Sequence, residues 1–507
     1  MLFNSPEFLF CYLPVVLLVY GILARFGRTA VVSWLAFSSL AFYAYWQPVF
    51  VLLLVASITV NYGASRIIWT LRERVKLQSM FLTLAVAANL STLAFFKYLP
   101  ALVLFMHDTL GLQVHFSDVI LPLGISFFTF TQIAYLVDLS QDTAEPQDLL
   151  SYVLFVTFFP HLIAGPILHH REIMPQFAKG RDFGINWHDM ALGSSWFVLG
   201  LCKKVLLADR FSPYADVAFA NAGSLTIAGA WIGVLNYALQ LYFDFSGYSD
   251  MAIGLARMFS IKFPFNFDSP YKSSNIIDFW SRWHMTLTRY LTLYVYNPFA
   301  MWANRRRAAI GKPNSRKALR TAGGFASLVA FPTLTTMLLA GIWHGAGLQF
   351  IIFGALHGLY LTVNHAWRIF RREGSGLSRV IEFPVVSVGL TFLAVLVAQV
   401  FFRSSSTGEA FEILSSLIGM NGGFTFEELA RQPSHAFLFL FALPVIWYFP
   451  NTQEILNQVT AVRVNVFSSS TVAAWRPNLA WASGLGLLLI PVFWYMTDSS
   501  SFLYFQF

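Results

Sequence analysis

Two histidines are the residues best suited to move a proton in this chain. His344 follows Trp343 and precedes Gly345, near the turn between two long apolar runs. An imidazole has an unperturbed pKa of about 6.5, so it can accept a proton from a hydroxyl at neutral pH and return it, as acyl transfer to an alcohol requires. Gly345 adds no side-chain bulk, which predicts that a ligand can approach the ring closely. The spacing alone also allows His344 to serve only as a hydrogen-bonding contact between helices.

His284 closes a charged and aromatic segment that begins at Asp278. The segment is too polar for a helix that faces lipid on all sides, so we expect it to face a cavity or an interface. Arg282 could offer a planar fork to a phosphate or carboxylate, and Trp283 could lie at the headgroup boundary. Composition alone slightly favours a simple interfacial anchor over a catalytic role.

A third group of charges lies within the apolar run that contains Asp244, Asp250 and Arg257. Asp250 and Arg257 are seven residues apart, which places them on one face of a helix about two turns apart. The pattern favours a buried structural network over a proton path, and both interpretations remain open.

Prolines and a glycine interrupt the segment 159–166, so no regular helix can run through it unbroken. His161, His169, His170 and Glu172 lie in or just after it, but their spacing matches no common metal signature such as HExxH. We therefore predict no metal site.

The elements that must position these residues are membrane helices. Of the 507 residues, 57% are hydrophobic, 17% aromatic and only 11% charged, whereas soluble domains carry about 25% charged residues. This composition excludes a soluble globular protein, a disordered chain and a coiled coil. The two cysteines, Cys11 and Cys202, lie in apolar segments and predict neither a disulfide framework nor a zinc site.

Apolar stretches of spanning length recur along the whole chain, and a bilayer core requires about 20 helical residues. We therefore predict an all-α polytopic protein with roughly eleven to thirteen spanning or re-entrant helices. The chain shows no internal repeat and no linker, so residues 1–507 are expected to form a single domain. The predicted stretches are 8–24, 30–46, 49–69, 80–106, 119–139, 150–168, 190–207, 228–258, 324–343, 347–369, 383–402, 435–449 and 479–497.

Basic loops predict the orientation of the chain. Arg25 and Arg28 follow the first span, and the loop 305–320 contains seven basic residues and no acidic one. The positive-inside rule places both loops in the cytoplasm and the N-terminus outside. The sequence contains no GxSxG, GxxxxGK[ST] or GxGxxG motif, which argues against a serine hydrolase, a P-loop ATPase and a Rossmann enzyme. Nothing in the charge pattern indicates nucleic-acid binding.

Six motifs occur in order between about residues 120 and 455. They are Leu123–Phe130, Phe158–Pro166, Asp244–Gly254, Phe279–His284, Gly341–Gly345 and Asn451–Gln453. Taken together, this ordered set resembles the membrane-bound O-acyltransferase family, and within it the branch of the bacterial alginate O-acetylation proteins. The segment 502–507 also resembles the C-terminus of that branch. After His284 the chain departs from the branch pattern of a Trp, an Arg-Asp pair and a Gly-rich turn, and we expect this departure to affect substrate or partner choice.

The resemblance implies a ring of tilted helices around a central funnel. It implies that His344 is the catalytic histidine of a Trp-His-Gly motif and that His284 is the second catalytic position. As residues that bind the donor or substrate we assign Trp343, Arg282, Trp283 and Asp250.

The implied function is transfer of acetyl groups, from cytoplasmic acetyl-CoA, across the bacterial inner membrane for O-acetylation of a secreted or cell-surface polysaccharide such as alginate. A periplasmic partner of the SGNH-hydrolase type is expected to complete delivery to the sugar hydroxyls. Two alternatives remain open. One is transfer of another acyl group, such as D-alanine from a carrier protein, and the other is a proton-coupled transporter or polysaccharide export channel.

Overall fold

The computed structural model describes residues 1–111, 119–178, 183–371, 376–421, 433–456, 475–496 and 502–503. Within these ranges all regular elements are helices and no strand occurs, which confirms the all-α prediction. Of the C-terminal segment that carried part of the family resemblance, residues 504–507 lie outside the described ranges.

Six helical segments of the described chain are long and apolar enough to cross a membrane. Large apolar side chains on them, such as Leu18, Leu52 and Leu104, are more than 60% exposed, which suits contact with lipid rather than water. The chain is therefore a multi-pass membrane protein, whereas the count of eleven to thirteen helices and the ring around a funnel stay predictions. The six segments, each of which overlaps a predicted stretch, are Glu7–Phe26, Val49–Thr70, Val75–His107, Trp187–Ala220, Ala322–His344 and Pro384–Arg403.

The chain forms two compact units, each assembled from segments that are distant in sequence. The first unit contains Met1–Cys202, Gly247–Phe265 and Pro477–Thr497, and the second contains Lys203–Ser246, Asn266–Arg476 and Asp498–Phe507. The long helix Ile227–Met258 contributes residues to both units. The single domain expected from the sequence stays a prediction.

The first unit holds the N-terminal helices together with one helix from near the C-terminus. Its helices are α1 (Leu13–Leu23), α2 (Arg28–Ala44), α3 (Val49–Thr70), α4 (Val75–Leu110), α5 (Ile125–Ser140), α6 (Leu149–Thr157), α7 (Phe159–Leu162), α8 (His170–Ile173), α9 (Trp187–Cys202) and α23 (Leu479–Tyr495).

The second unit holds α11 (Ile227–Met258) up to residue 246 and the short helices that follow it. Its helices are also α10 (Asp209–Ala220), α12 (Ile276–Trp280), α13 (Met285–Leu291), α14 (Asn297–Ala309), α15 (Ala322–Phe325), α16 (Phe331–His344), α17 (Leu348–Phe370), α18 (Gly376–Ile381), α19 (Pro384–Arg403), α20 (Thr407–Leu417), α21 (Pro433–Tyr448) and α22 (Thr452–Ile455).

Buried polar side chains join the helices of the first unit. Asn61 on α3 and Asn89 on α4 exchange two amide hydrogen bonds, of 3.1 and 2.7 Å. Gln132 on α5 accepts a hydrogen bond from the Tyr152 hydroxyl at 3.1 Å. Because an apolar environment offers no competing water, such hydrogen-bonded side-chain pairs specify which helices pack together.

The helix break predicted around Pro160 is confirmed. α6 ends at Thr157, and the one-turn helix α7 carries Pro160 in its first turn, where a proline needs no backbone N–H. The chain from 163 to 169 then continues without regular structure to His170.

A close crossing of α16 and α17 organises the second unit. A Cβ atom added to Gly341 would lie 2.3 Å from the carbonyl oxygen of Phe350 and 3.0 Å from the Cα atom of Gly354. Any side chain at Gly341 would therefore push the helices apart, as is typical of small-residue contacts between membrane helices. The crossing sets the separation of the residues farther along both helices.

Candidate active site

A cavity in the second unit collects three histidines from three different elements. It contains about 470 Å³ of space not filled by protein atoms, part of it continuous with the space outside. Aromatic and aliphatic side chains form most of its wall, and its lining includes no carboxylate. The lining residues are Leu241, Phe245, Phe279, Trp280, Trp283, His284, Leu287, His344, Phe353, His357, Val395, Gln399 and Phe402.

His344 is the last residue of α16 and is 6% exposed. Its ring meets the Phe353 ring edge-on at 5.6 Å and the Phe402 ring at 5.0 Å, so aromatic walls hold the imidazole in place. A Cβ atom on Gly345 would lie 2.2 Å from the Phe350 ring. The glycine therefore makes room for Phe350, and close approach of a ligand to the His344 ring stays a prediction.

The turn that carries His284 has an unusual backbone. His284 has φ 42° and ψ 53°, in the left-handed region that non-glycine residues adopt rarely and at an energetic cost. Two backbone bonds hold the turn: Met285 N–H donates to the Asn266 carbonyl and Asp268 N–H to the Arg282 carbonyl, both at 2.9 Å. Such a conformation persists only where the surroundings impose it, and here it directs the His284 ring to the cavity wall.

Asn266 determines which ring nitrogen of His284 carries the proton. Its Oδ1 atom lies 3.3 Å from the Thr286 backbone N–H, which can only donate, so the atom at this position must be the oxygen. The same oxygen lies 3.0 Å from His284 Nδ1, which must then be the protonated nitrogen. Burial lowers the pKa of His284, in its turn outside the spanning helices, to about 3. The neutral ring consequently keeps a lone pair on Nε2.

His357 on α17 is a cavity residue that the sequence reasoning missed. It is 2% exposed, and its Nδ1 lies 3.2 Å from the indole Nε1 of Trp280. An indole N–H is only a donor, so Nδ1 must accept, and the proton of the neutral ring is on Nε2. A histidine in the middle of the apolar stretch 347–369 was the signal available in the sequence.

Gln399 on α19 is a second cavity residue that the sequence reasoning missed. It is 4% exposed, and its Nε2 donates to the hydroxyl of Tyr271 at 3.1 Å. An amide side chain within the predicted apolar span 383–402 could have indicated Gln399.

The structure separates the predicted binding residues. Trp283 lines the cavity and stacks on Phe279 at 5.7 Å. Trp343 and Arg282 are buried but are not among the lining residues. Arg282 donates from Nε to the Asp278 carboxylate at 3.0 Å, within its own turn. Asp250 belongs to the first unit, and the cavity is lined by residues of the second.

Charged residues in and near α11 form ion pairs that are buried or partly buried. Lys204 lies 2.8 Å from the Asp209 carboxylate and 2.7 Å from that of Asp244, and all three side chains are at most 3% exposed. Asp244 also accepts the backbone N–H of Leu503 at 2.9 Å. In the first unit Arg257 pairs with Asp189 at 2.8 Å. These contacts agree with the structural-network interpretation of this region.

A separate histidine cluster occurs in the first unit, where Asp138 Oδ2 lies 2.8 Å from His170 Nε2 and 3.2 Å from His169 Nε2. The three ligand atoms lie within 4.8 Å of one another, so this set could hold a metal ion. Arg171 Nη2 is 3.6 Å from the same oxygen, and its charge would repel a cation. The pKa of His170 is lowered by burial, although Asp138 favours its charged form. The hydrogen bonds thus account for the cluster without a metal, and the prediction of no metal stays a prediction.

Comparison with known proteins indicates one family. Residues 76–311 match the sequence profile of the membrane-bound O-acyltransferase family. The chain is 39% identical over 454 residues to a peptidoglycan O-acetyltransferase of Helicobacter pylori, covering 83% of this chain and 80% of the relative. It is 35% identical over 436 residues to a probable alginate O-acetylase of Pseudomonas aeruginosa, covering 85% and 77%. It is 27% identical over 271 residues to a teichoic acid D-alanyltransferase of Bacillus subtilis, covering 53% and 65%.

Proposed function

This chain belongs to the membrane-bound O-acyltransferase family and is an O-acyltransferase, and we propose that it moves acetyl groups from cytoplasmic acetyl-CoA across the inner membrane for O-acetylation of a secreted or cell-surface polysaccharide. The relatives with the higher identities are named for acetyl transfer to peptidoglycan and alginate. The observation that carries the proposal is the apolar cavity in which His344, His284 and His357 meet.

The proposed reaction uses His344 as general base. Its imidazole takes the proton of the acceptor hydroxyl while the hydroxyl oxygen attacks the thioester carbonyl carbon. A C–O bond forms, the C–S bond breaks, and the imidazolium returns its proton to the thiolate that leaves. No proton or electron is left over, so the reaction needs no oxidant or reductant.

The other two histidines would assist from fixed tautomers. His284 presents a lone pair on Nε2, which suits it to orient a hydroxyl, to orient the donor or to complete a proton relay. His357 carries its proton on Nε2 and can therefore donate a hydrogen bond to an oxygen that gains negative charge. The aromatic walls limit water, which would otherwise hydrolyse the thioester.

We place the donor in the cytoplasm because of the loop 305–320. Six of its seven basic side chains are exposed, and the seventh, Arg307, is buried and holds the loop through the carbonyl oxygens of Gly323 and Pro313. Exposed cations on a fixed loop suit the phosphates of coenzyme A. With this loop inside, the protein is proposed to lie in the inner membrane with its N-terminus in the periplasm. A periplasmic SGNH-type acetyltransferase is the proposed partner that completes delivery.

The test is the ester-linked acetyl content of the polysaccharide from cells expressing wild type, His344→Ala or His284→Ala at equal membrane levels. Mass spectrometry should show loss of acetyl in His344→Ala while polymer yield is unchanged. Retention of unmodified polymer inside the cell would instead indicate an exporter. Unchanged acetylation in His344→Ala would refute the catalytic assignment.

A second acyl group also has support, because the B. subtilis relative is named for D-alanyl transfer. Its identity and coverage are lower than those of the acetyl-transfer relatives, and acetyl is therefore the primary proposal. The same mass spectra distinguish the two, since a D-alanyl ester and an acetyl ester differ in mass and only the former carries an amine.

A further inference from the structure

Gln399 carries the amide side chain of a mainly apolar spanning helix. It lies on α19, which has the highest mean hydropathy, 2.4, of the candidate spans in the described chain. Its side chain is 4% exposed and forms part of the wall of the histidine cavity. Polar groups at such positions are costly, and they usually have a partner or a function.

The hydrogen bonds of Tyr271 fix the orientation of the Gln399 amide. The Tyr271 hydroxyl donates its single proton to the carbonyl oxygen of Ala238 at 2.8 Å. The Gln399 atom that lies 3.1 Å from this hydroxyl must therefore be the donor, Nε2. This leaves Oε1 as a buried acceptor, and none of the described residues donates to it.

The chemistry of the proposed reaction limits what could donate to Oε1. The acceptor hydroxyl has one hydrogen, and His344 is proposed to take it. The thioester carbonyl and sulfur have none. In coenzyme A, and in a carrier protein with a phosphopantetheine arm, the nearest remaining donor is the amide N–H two methylene groups beyond the sulfur.

The composition of the cavity wall favours the thioester arm over a sugar. A sugar ring brings several hydroxyls, and each loses free energy when it is buried without a partner. The arm near the thioester consists of methylene groups with one amide, which suits a mainly aromatic wall. Gln399 Oε1 can accept from the amide N–H, and the Nε2–H of His357 is a donor available for a carbonyl.

We propose that Gln399 accepts a hydrogen bond from the first amide N–H of the thioester donor, so that this protein selects thioesters whose thiol carries a secondary amide. The inference rests on the proposed function, and it assigns to Gln399 a role in donor specificity. Coenzyme A and a carrier protein share this amide, so the residue recognises either source.

The test compares two acetyl donors that differ in this amide. Purified full-length protein in detergent is given S-acetyl-N-acetylcysteamine, which has the amide, or S-butyl thioacetate, which lacks it, with mannuronate oligosaccharides and peptidoglycan fragments as acceptors. Thiol release gives kcat/KM for each donor. In Gln399→Met the preference for the amide donor should fall about 3- to 10-fold, the usual worth of one neutral hydrogen bond. The rate with S-butyl thioacetate should stay near the wild-type rate, which also shows that the variant is folded.

Thr391→Val is the matched control. Thr391 is on the same helix, is 8% exposed and donates to the Ser387 carbonyl at 2.7 Å, and it is not among the residues that line the cavity. This variant should keep the wild-type preference. A merely structural role of Gln399 would lower kcat/KM for both donors equally, and that result would overturn the proposal.

Two further results distinguish failure of the inference from failure of the proposed function. If the wild type releases thiol from neither donor nor from acetyl-CoA, the proposed function fails. If it uses all three donors but Gln399→Met leaves the ratios of their kcat/KM values unchanged, only the inference fails.

Acetyl-CoA and an acetylated acyl carrier protein are then compared in wild type and Gln399→Met. A lower kcat/KM of Gln399→Met with both donors supports recognition of the arm that they share. A higher wild-type kcat/KM with one of the two donors identifies the source.

Discussion

The two units of this protein both bury histidines, but they surround them differently. In the first unit, His169 and His170 direct their Nε2 atoms to the carboxylate of Asp138, with Arg171 beside it. In the second unit, His284, His344 and His357 lie in a wall of aromatic and aliphatic side chains that contains no carboxylate.

We interpret this difference as one between histidines that hold the structure together and histidines that we propose take part in the reaction. A carboxylate acceptor stabilises the protonated nitrogens of His169 and His170 and engages them in the fold. In the cavity, neutral partners such as Asn266 and Trp280 fix the tautomers of His284 and His357 without supplying a charge. Burial of histidine is thus a poor sign of function unless the partner is known.

The largest expected effect is that of His344→Gln, which removes the proposed base. We expect kcat to fall about 10²- to 10⁴-fold, the usual contribution of a positioned general base. His169→Gln provides the comparison within the same chain, and it should keep kcat within about threefold of wild type. Thiol release by purified protein measures both. Equal losses of kcat in the two variants would show that the two histidine groups do not differ in function.

Asp138→Ala should act on stability instead of chemistry. It leaves the Nε2–H groups of His169 and His170 without their buried acceptor, so we expect a loss of about 3 kcal/mol in the free energy of unfolding. Thermal unfolding in detergent measures this loss, while kcat per folded molecule stays near wild type. A fall in kcat with unchanged stability would place this cluster in the reaction.

Asn266→Leu tests whether the His284 tautomer matters. The Nδ1–H of His284 would lose its acceptor, and the ring could then reorient or change tautomer. By analogy with the groups that orient metal-bound histidines, we expect kcat to fall about 10- to 100-fold. Thr286→Val is a control, because it removes a different hydrogen bond to the same Asn266 oxygen and leaves that of His284 intact. A control variant as inactive as Asn266→Leu would indicate general disruption of the turn.

The smallest effect is expected for Trp280→Phe. The change keeps an aromatic ring beside His357 but removes the indole N–H that bonds to its Nδ1. Both tautomers of His357 then become accessible, and we expect kcat to fall about 3- to 10-fold with little change in KM, the scale of one hydrogen bond. An increase in KM at constant kcat would show that Trp280 contributes to binding and does not orient His357.

Local properties of the sequence were sufficient for much of the fold. Apolar stretches predicted the six spanning segments because a bilayer core demands about 20 apolar residues in succession. Pro160 and its neighbours predicted the break between α6 and α7, since proline cannot continue a helix from the preceding turn. His344 and His284 were singled out from their neighbours in the chain, and the structure brings both to one cavity.

The sequence by itself therefore determined the membrane class, the all-α architecture and the two histidines worth testing, because hydropathy, helix breaking and ionisable side chains are properties of short segments. Only the tertiary structure decided which other residues join them. His357 and Gln399 reach the cavity through the packing of α17 and α19, whereas Arg282 is engaged by Asp278. The direction in which a side chain points depends on how its helix is rotated against its neighbours. That rotation is set by contacts between residues far apart in sequence, such as Gly341 with Gly354.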